Sequence, residues 1–542
     1  MNLWPCGDTV SDHKKSEIKP MPEPILMDIS DPRFIDWLEE TALPGWFGLQ
    51  RWFARKTGEK PLELRLQELG ISVDGLILGL VDADLQSQAD SPYLIALIFV
   101  KQGDMADLPE NAILGRVPEE LGCKSLVLID AAATEQGRMA LLKIATSQSS
   151  VGWSCGSVRG RVFEKKQMDS SIEAWKSSSQ WLGVEQSNTS LVFGEDVILK
   201  ILRRPGRPGL PNPDAEIPLA LSLTTAEPMT PSVMGVIQAG DDPSGMMIAT
   251  LCRYLKGSVS GWDLARQAVT EFVQKGGLPS TQSAGISIDE ILQRDLAICT
   301  AQLHQALAKI PDNEAFKPLP IRADEIQRLG LSLRTGAEAV FDQLRGWNDQ
   351  GLPLHLVALM ERVIANQKRY TAAFERLEKF TPEYEGQTLL FAIRHHGDYH
   401  LGQVLWDSSK VWQVIDFEGE PNKSLANRRD KAIGLRDIAG MVRSFDYAQA
   451  VAMRELYADL DQKRLAMDWR ERISFTFSNT YFAMVGELEN EIFPLIPESY
   501  PLRYQLMDAF ILEKNLYELI YELEHRPDWA EIPLEGLLSW LE

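Results

Sequence analysis

Cysteine is scarce in this chain, and so is positive charge. Five cysteines are scattered over 542 residues, at Cys6, Cys123, Cys155, Cys252 and Cys299, and no C-x-x-C pair occurs. That excludes a disulfide framework or a multi-cysteine zinc site, and predicts a reduced, cytoplasmic setting. Lysine and arginine number 55 against 77 acids, a formal net charge of −22. Such a surface repels phosphate backbones and anionic lipid, which excludes nucleic acid and membrane as main partners and leaves a neutral small molecule compatible. No apolar run reaches the length of a membrane span, and the stretch Met1–Asp8 is too polar for a signal peptide. There is no internal repeat. At this length the chain predicts two or three domains, or one large two-lobed unit.

Histidine is also rare, yet three of the seven fall within six residues, at His395, His396 and His400. They belong to Arg394-His395-His396-Gly397-Asp398-Tyr399-His400-Leu401-Gly402-Gln403. Zinc is not the reason. His396 and His400 lack the intervening glutamate of H-E-x-x-H, and Gly397 disfavours a helix. The layout instead matches the kinase catalytic loop H-x-D-x-x-x-x-N, with Gln403 in the Asn position and Asp416-Phe417-Glu418-Gly419 as the metal-binding turn. Phosphoryl transfer asks the protein mainly for positioning and charge neutralisation. Asp398 is the candidate base for an acceptor hydroxyl. Asp416 and Gln403 are hard oxygen ligands suited to Mg²⁺ beside the phosphates of ATP. Val404–Trp406 and Val411–Ile415 read as two short strands that return Asp416 to Asp398. His396, His400 and Glu418 flank these groups as candidate acceptor contacts.

Upstream, Ser187-Asn188-Thr189-Ser190 reads as a polar loop over phosphate, without the glycines of G-x-G-x-x-G. Lys200 lies in an apolar strand, where a lone lysine needs a partner, and becomes the candidate nucleotide lysine. Asn212-Pro213 begins a helix, and Glu216 on it is the expected partner of Lys200. Pro218 resists a helix interior, so the helix could instead begin there. Met246–Leu255 would lead to a hinge, with the backbone around Thr250 and Cys252 against adenine. His304 is read as a core histidine. Asp437, among apolar neighbours, is expected to bond the catalytic-loop backbone, a structural role. Near the C-terminus Tyr517, Glu518, Tyr521, Glu522 and Arg526 recur at helical spacing, a face suited to sugar hydroxyls.

The expected organisation is a mobile tail over 1–25, an N-terminal α+β cap over 26–145, an intermediate subdomain over 146–255 with the phosphate loop and lysine, and a helical lobe over 256–542. Several long motifs resemble bacterial maltokinase, including its form fused to trehalose synthase. They are Glu185–Ser190, Asn212–Glu216, His396–Gln403, Asp416–Pro421, Leu435–Tyr447 and Arg526–Trp529, together with Gln50–Lys56 in the cap. The resemblance implies an α+β, bilobal protein kinase-like fold, akin to aminoglycoside phosphotransferases, with an extra N-terminal cap and a mostly helical C-lobe. It further implies ATP- and Mg²⁺-dependent phosphorylation of maltose at its anomeric hydroxyl, feeding α-glucan synthesis, and leaves room for association with trehalose synthase. Two alternatives stand beside it: a glucosamine, other amino-sugar or aminoglycoside kinase of the same fold, and a non-catalytic binding protein that retains the fold.

Overall fold

The computed structural model describes residues 28–541 apart from 54–62, 84–90, 106, 123–124, 155, 164–170, 184–186, 228, 241–244, 279–286, 312, 348–350, 385, 422 and 489–492. The expected tail at 1–25, Val184–Gln186 and the basic residues Arg55 and Lys56 lie outside the described residues. The chain divides into two compact units. The first is drawn from Met1–Leu223, Thr230–Lys256 and Pro421–Arg428, the second from Thr224–Met229, Gly257–Glu420 and Arg429–Glu542.

Among the described residues the first unit contains two large antiparallel sheets and a two-stranded ribbon, Gly206–Arg207 with Leu210–Pro211. One has five strands: β1 (Leu64–Ile71), β2 (Leu76–Ala83), β3 (Tyr93–Lys101), β4 (Ile113–Arg116) and β5 (Leu126–Asp130), in the order β1-β2-β3-β5-β4. The middle strands read as continuous apolar runs because both faces are covered. Ile77, Ile95, Leu97 and Phe99 face Phe34, Trp46 and Phe47 from the N-terminal helical segment. Leu78, Ala96 and Ile98 face the other way, into a core shared with the second sheet and with helix Glu135–Ala145. The segments expected as cap and intermediate subdomain therefore share one core. Asp31 starts the N-terminal helix by accepting from the Arg33 N–H.

The second sheet has seven strands: β6 (Ser150–Trp153), β7 (Gly156–Val162), β8 (Ser179–Trp181), β9 (Thr189–Phe193), β10 (Val197–Ile201), β11 (Val233–Ala239) and β12 (Met246–Arg253). Their order is β6-β7-β11-β12-β10-β9-β8. Helix Pro213–Thr224 follows β10 and runs straight through Pro218. It starts at Pro213, not at Pro218 as the proline suggested. Pro213 occupies the first turn, where a missing N–H costs nothing, and Pro218 removes the bond its own N–H would make to Asp214.

The second unit is mostly helical, built from Gly261–Gln274, Leu296–Ala308, Ala323–Arg345, Leu354–Ala365, Gln367–Glu378, Leu435–Glu455, Leu460–Leu488, Tyr500–His525 and Glu531–Trp540. A small antiparallel sheet sits among them: Val259–Ser260, Val404–Trp406 and Trp412–Val414. Among the described residues no helix is long and apolar enough to cross a membrane.

Candidate active site

The second unit holds the loop between Ile393 and the strand Val404–Trp406. Helix Leu435–Glu455 anchors it. Asp437, in the first turn and 2% exposed, accepts from the backbone N–H of His396 at 2.8 Å and of Gly397 at 3.0 Å. His304, fully buried, donates Nε2–H to the same carboxylate at 3.1 Å and bonds the Tyr481 hydroxyl at 2.8 Å through Nδ1. Burial alone would raise the Asp437 pKa. The charge of His395, the His304 bond and the other histidines outweigh it and hold the carboxyl far below its ordinary range. The core position expected for His304 is its position, and its polar role is to carry Asp437. Further along, the Leu401 N–H bonds the Ser444 hydroxyl at 2.9 Å. A Cβ on Gly440 would lie 2.6 Å from the Tyr399 carbonyl oxygen, so glycine is what lets the helix approach.

His396 is not available to a ligand. It is 1% exposed, and its Nε2–H donates to the Ile415 carbonyl at 2.9 Å. Nδ1 is then the acceptor, and takes the Asp398 N–H at 3.3 Å. Both ring nitrogens are spent on shaping the loop, which corrects its assignment as an acceptor contact. His400 similarly caps the short turn Leu401–Gln403, accepting from the Gly402 N–H at 3.0 Å. Its Nε2 lies 3.9 Å from Asp398. Burial pushes the His400 pKa down to about 4, against the pull of Asp398.

The hairpin Val404–Trp406/Trp412–Val414 brings Asp416 back to Gln403. The Ile415 N–H bonds the Gln403 carbonyl at 2.9 Å, and the Gln403 side-chain Nε2 donates to Asp416 Oδ2 at 3.0 Å. Asp416 adopts φ +64°, in the left-handed region that favours glycine. Such strain in a non-glycine residue is typical of functional sites. The Gln403 amide oxygen and the Asp416 carboxylate are hard oxygen donors, a set that fits Mg²⁺. Glu418 lies in the turn that follows.

Asp398 is partly exposed and faces a partner from far along the chain. Lys514 Nζ, on helix Tyr500–His525, lies 3.3 Å from Asp398 Oδ1 and 3.0 Å from Glu420 Oε1. Burial raises the Asp398 pKa, but Lys514, then His400 and His396, bring the net below the ordinary carboxylate value. Burial likewise lowers Lys514, and Asp398 and Glu420 more than compensate, so its pKa is raised. Lys514 was passed over in the sequence, although it sits three and four residues before Tyr517 and Glu518 on the same stripe.

The remainder of that stripe is partly committed elsewhere. Glu518 pairs with the buried Arg443, at 2.8 Å from its Nη2. Glu522, 2% exposed, accepts from the Tyr447 hydroxyl at 3.1 Å and from Arg526 at 2.6 Å. The expectation that Glu518 and Arg526 face a substrate is corrected to this extent: each is held by a carboxylate–guanidinium pair within the protein. Tyr517 and Tyr521 stack with centroids 6.4 Å apart.

In the first unit, Lys200 lies opposite Ser190 on β9 and Thr250 on β12, and Ile198 lies opposite Val192 and Cys252. Residues directly opposite share a face of a sheet, so Ser190, Lys200, Thr250 and Cys252 line one face. Lys200 pairs with Asp214 at 2.7 Å. Glu216, chosen from the sequence, lies two residues further along that helix. Asp214 was missed because Asn212-Pro213-Asp214 reads as a cap, yet a first-turn acid is also well placed to meet a cation. Burial pushes the Cys252 thiol up to about 12.

Two expectations fail here. Asn188 and Thr189 do not form an open loop over phosphate. Both are buried, and their side-chain oxygens accept from the Arg203 N–H at 3.3 Å and Nε at 2.8 Å. Thr189 and Ser190 already belong to β9; Ser187 alone of the four stays outside the buried set. Nor can the backbone of Thr250 and Cys252 meet adenine. β12 lies between β11 and β10, and the pairing continues to the Tyr254 N–H, which bonds the Asp196 carbonyl at 2.8 Å.

No family model matches the chain. It is similar to a glucosamine kinase of Streptacidiphilus jiangxiensis, 25% identical over 355 residues, covering 65% of this chain and 70% of that one. A glucosamine kinase of Mycolicibacterium smegmatis is 25% identical over 361 residues, covering 66% and 78%. Among solved structures, a glucosamine kinase crystal form matches with a TM-score of 0.60 at 19% identity, over 93% of this chain and 98% of that one. A glucosamine kinase in complex with glucosamine, ADP and inorganic phosphate matches with a TM-score of 0.56 at 18% identity, over 94% and 100%. The chain has the α+β, kinase-like fold of these glucosamine kinase structures.

Proposed function

We propose that the protein is an ATP-dependent sugar kinase whose acceptor is an amino sugar of the glucosamine class. The observation that carries the kinase chemistry is the catalytic loop itself: Gln403 bonded to Asp416 at 3.0 Å, on a loop pinned through Asp437, with Asp398 beside a lysine. The acceptor class is supported by the curated relatives, which are glucosamine kinases. They favour an amino sugar over the maltose that the sequence motifs imply.

In this reading Asp398 accepts the proton of the attacking hydroxyl, and its lowered pKa keeps it ionised at neutral pH. Gln403 and Asp416 would hold Mg²⁺, which when bound neutralises phosphate charge. Lys200, held by Asp214, contacts nucleotide phosphates, with Thr250 and Cys252 contributing side chains from the same sheet face. Asp437 and His396 shape the loop, and Glu418 and Tyr517 remain candidate acceptor contacts.

Maltose stays as a second reading, because the Tyr517–Tyr521 pair offers an aromatic face of the kind that stacks on a neutral sugar ring. Release of ADP measured against glucosamine, maltose, glucose and trehalose separates the two. A preference for glucosamine is expected; a preference for maltose overturns the amino-sugar assignment. Asp398→Asn is expected to lower kcat by about 10³-fold with the fold intact. Wild-type turnover in that variant would overturn the assignment of Asp398 as the base, and no Mg²⁺-dependent transfer by the parent protein would leave a binding protein of kinase-like fold.

A further inference from the structure

Lys514 reaches the catalytic segment from helix Tyr500–His525. Its ammonium bridges two carboxylates of the catalytic segment, Asp398 Oδ1 at 3.3 Å and Glu420 Oε1 at 3.0 Å, and lies 5.1 Å from the Tyr517 ring centroid. All three charged side chains are largely buried, at 21% exposed for Lys514, 26% for Asp398 and 15% for Glu420. A lysine carries considerable rotamer entropy, so ordering one here needs a return in binding energy, and two carboxylates supply it. Asp398 itself sits in a loop without regular structure, and its other oxygen is 3.9 Å from His400. The groups facing Asp398 are thus Lys514 and Tyr517 from the helix and His400 and His396 from its own loop, with Glu420 and Glu518 beyond Lys514.

We propose that Lys514 is a positioning residue for phosphoryl transfer: clamped by Glu420, it fixes one oxygen of Asp398 and leaves the other to take the acceptor's proton. The clamp rests on the assignment of Asp398 as base. It explains why a carboxylate in an irregular loop is held by a residue 116 positions away. It also gives Glu420 a task, that of keeping the ammonium from swinging away. Small displacements of a reacting group cost rate steeply, about 10²-fold for 1 Å, so a clamp of this kind acts on kcat.

The test compares Lys514→Met, Lys514→Arg and Glu420→Gln. Lys514→Met is expected to lower kcat about 50-fold with the acceptor KM little changed. The acid limb of kcat should move up by about one pH unit, because a nearby cation favours the ionised carboxylate and its loss raises the pKa. Lys514→Arg should recover most of kcat, and Glu420→Gln should give a smaller loss than Lys514→Met. A packing role alone would lower the melting temperature without moving the acid limb. A second measurement is independent of turnover: the Asp398 carboxyl titrated by ¹³C NMR should shift upward in Lys514→Met. An unmoved titration, or an effect confined to KM, overturns the proposal. If the parent protein transfers phosphate to no sugar, the functional reading fails, and the carboxyl titration still decides whether Lys514 grips Asp398.

Discussion

Two polar-rich segments, one in each unit, spend their side chains in opposite ways. From 187 to 203 in the first unit, Asn188 and Thr189 turn inward onto Arg203, which is fully buried and also pairs with Asp130 at 2.5 Å. From 394 to 418 in the second unit, the buried His396 and the remote Asp437 hold the backbone, and Asp398, Gln403 and Asp416 stay partly exposed. In the first segment Asn188 and Thr189 build the fold; in the second a polar scaffold presents three others. A cluster of polar residues in a sequence is consistent with both. What separates them is the tertiary partner that each side chain meets: Asn188 and Thr189 meet Arg203, which in turn meets Asp130 across 73 residues.

The largest expected effect breaks this contrast from both sides. Asp437→Ala strands the buried N–H of His396 and the partly buried N–H of Gly397, each costing about 1–3 kcal/mol, and should unfix the catalytic loop. Stability should fall by about 3–5 kcal/mol and kcat by at least about 10²-fold. Arg203→Met leaves Asp130 buried without its cation, at a cost of about 3–5 kcal/mol. Below its melting temperature, however, it should keep the KM for ATP within about threefold, since Asn188 and Thr189 serve the fold. Denaturant titration and steady-state kinetics on both variants check this. A tenfold rise in the ATP KM for Arg203→Met would restore these two residues to the nucleotide site.

A middle-sized effect concerns pH. The folded pKa of His400 is depressed to about 4 from an unfolded value near 6.5. A histidine kept neutral contributes its full stability above the unfolded pKa and loses it as pH falls through 6.5 toward 4. The loss is on the order of 3 kcal/mol by pH 4. His400→Gln keeps an acceptor for the Gly402 N–H and should flatten the stability profile over that window. An unchanged slope between pH 6.5 and 4 would show that His400 titrates freely.

This contrast also accounts for what could be read in advance. The loop, the hairpin and the Asp398, Gln403, Asp416 spacing were legible because their contacts are local: Gln403 and Asp416 are thirteen residues apart with a short hairpin between. The role of Asp437 was legible because a lone acid in an apolar helix needs donors. Asp214, Lys514 and Arg203 were not, since each is defined by a partner that only the tertiary structure supplies. Periodicity located the helix carrying Lys514 but could not say that Asp398 and Glu420 would lie against it.

The smallest effect sharpens the comparison, because each unit strains one acid in the same way. Glu195 has φ +66° and Asp416 has φ +64°. At Glu195 the strain has no visible return: its ion pair with Lys256 is exposed on both sides, and such pairs contribute little. Asparagine tolerates the left-handed region better, so Glu195→Asn should stabilise the protein by about 0.5 kcal/mol and leave kcat unchanged. The adjacent Gly194→Ala should do the reverse, since its Cβ would lie 2.6 Å from the Ala174 carbonyl oxygen. At Asp416 the same relief has a different consequence. Asp416→Asn should also ease the backbone, but it removes the charge proposed to hold Mg²⁺, so stability should rise slightly while transfer collapses. Matching stability gains with opposite kinetic outcomes would mark Asp416 as strain retained for function; a loss of stability at Asp416 would show its carboxylate to be a structural tie to Gln403.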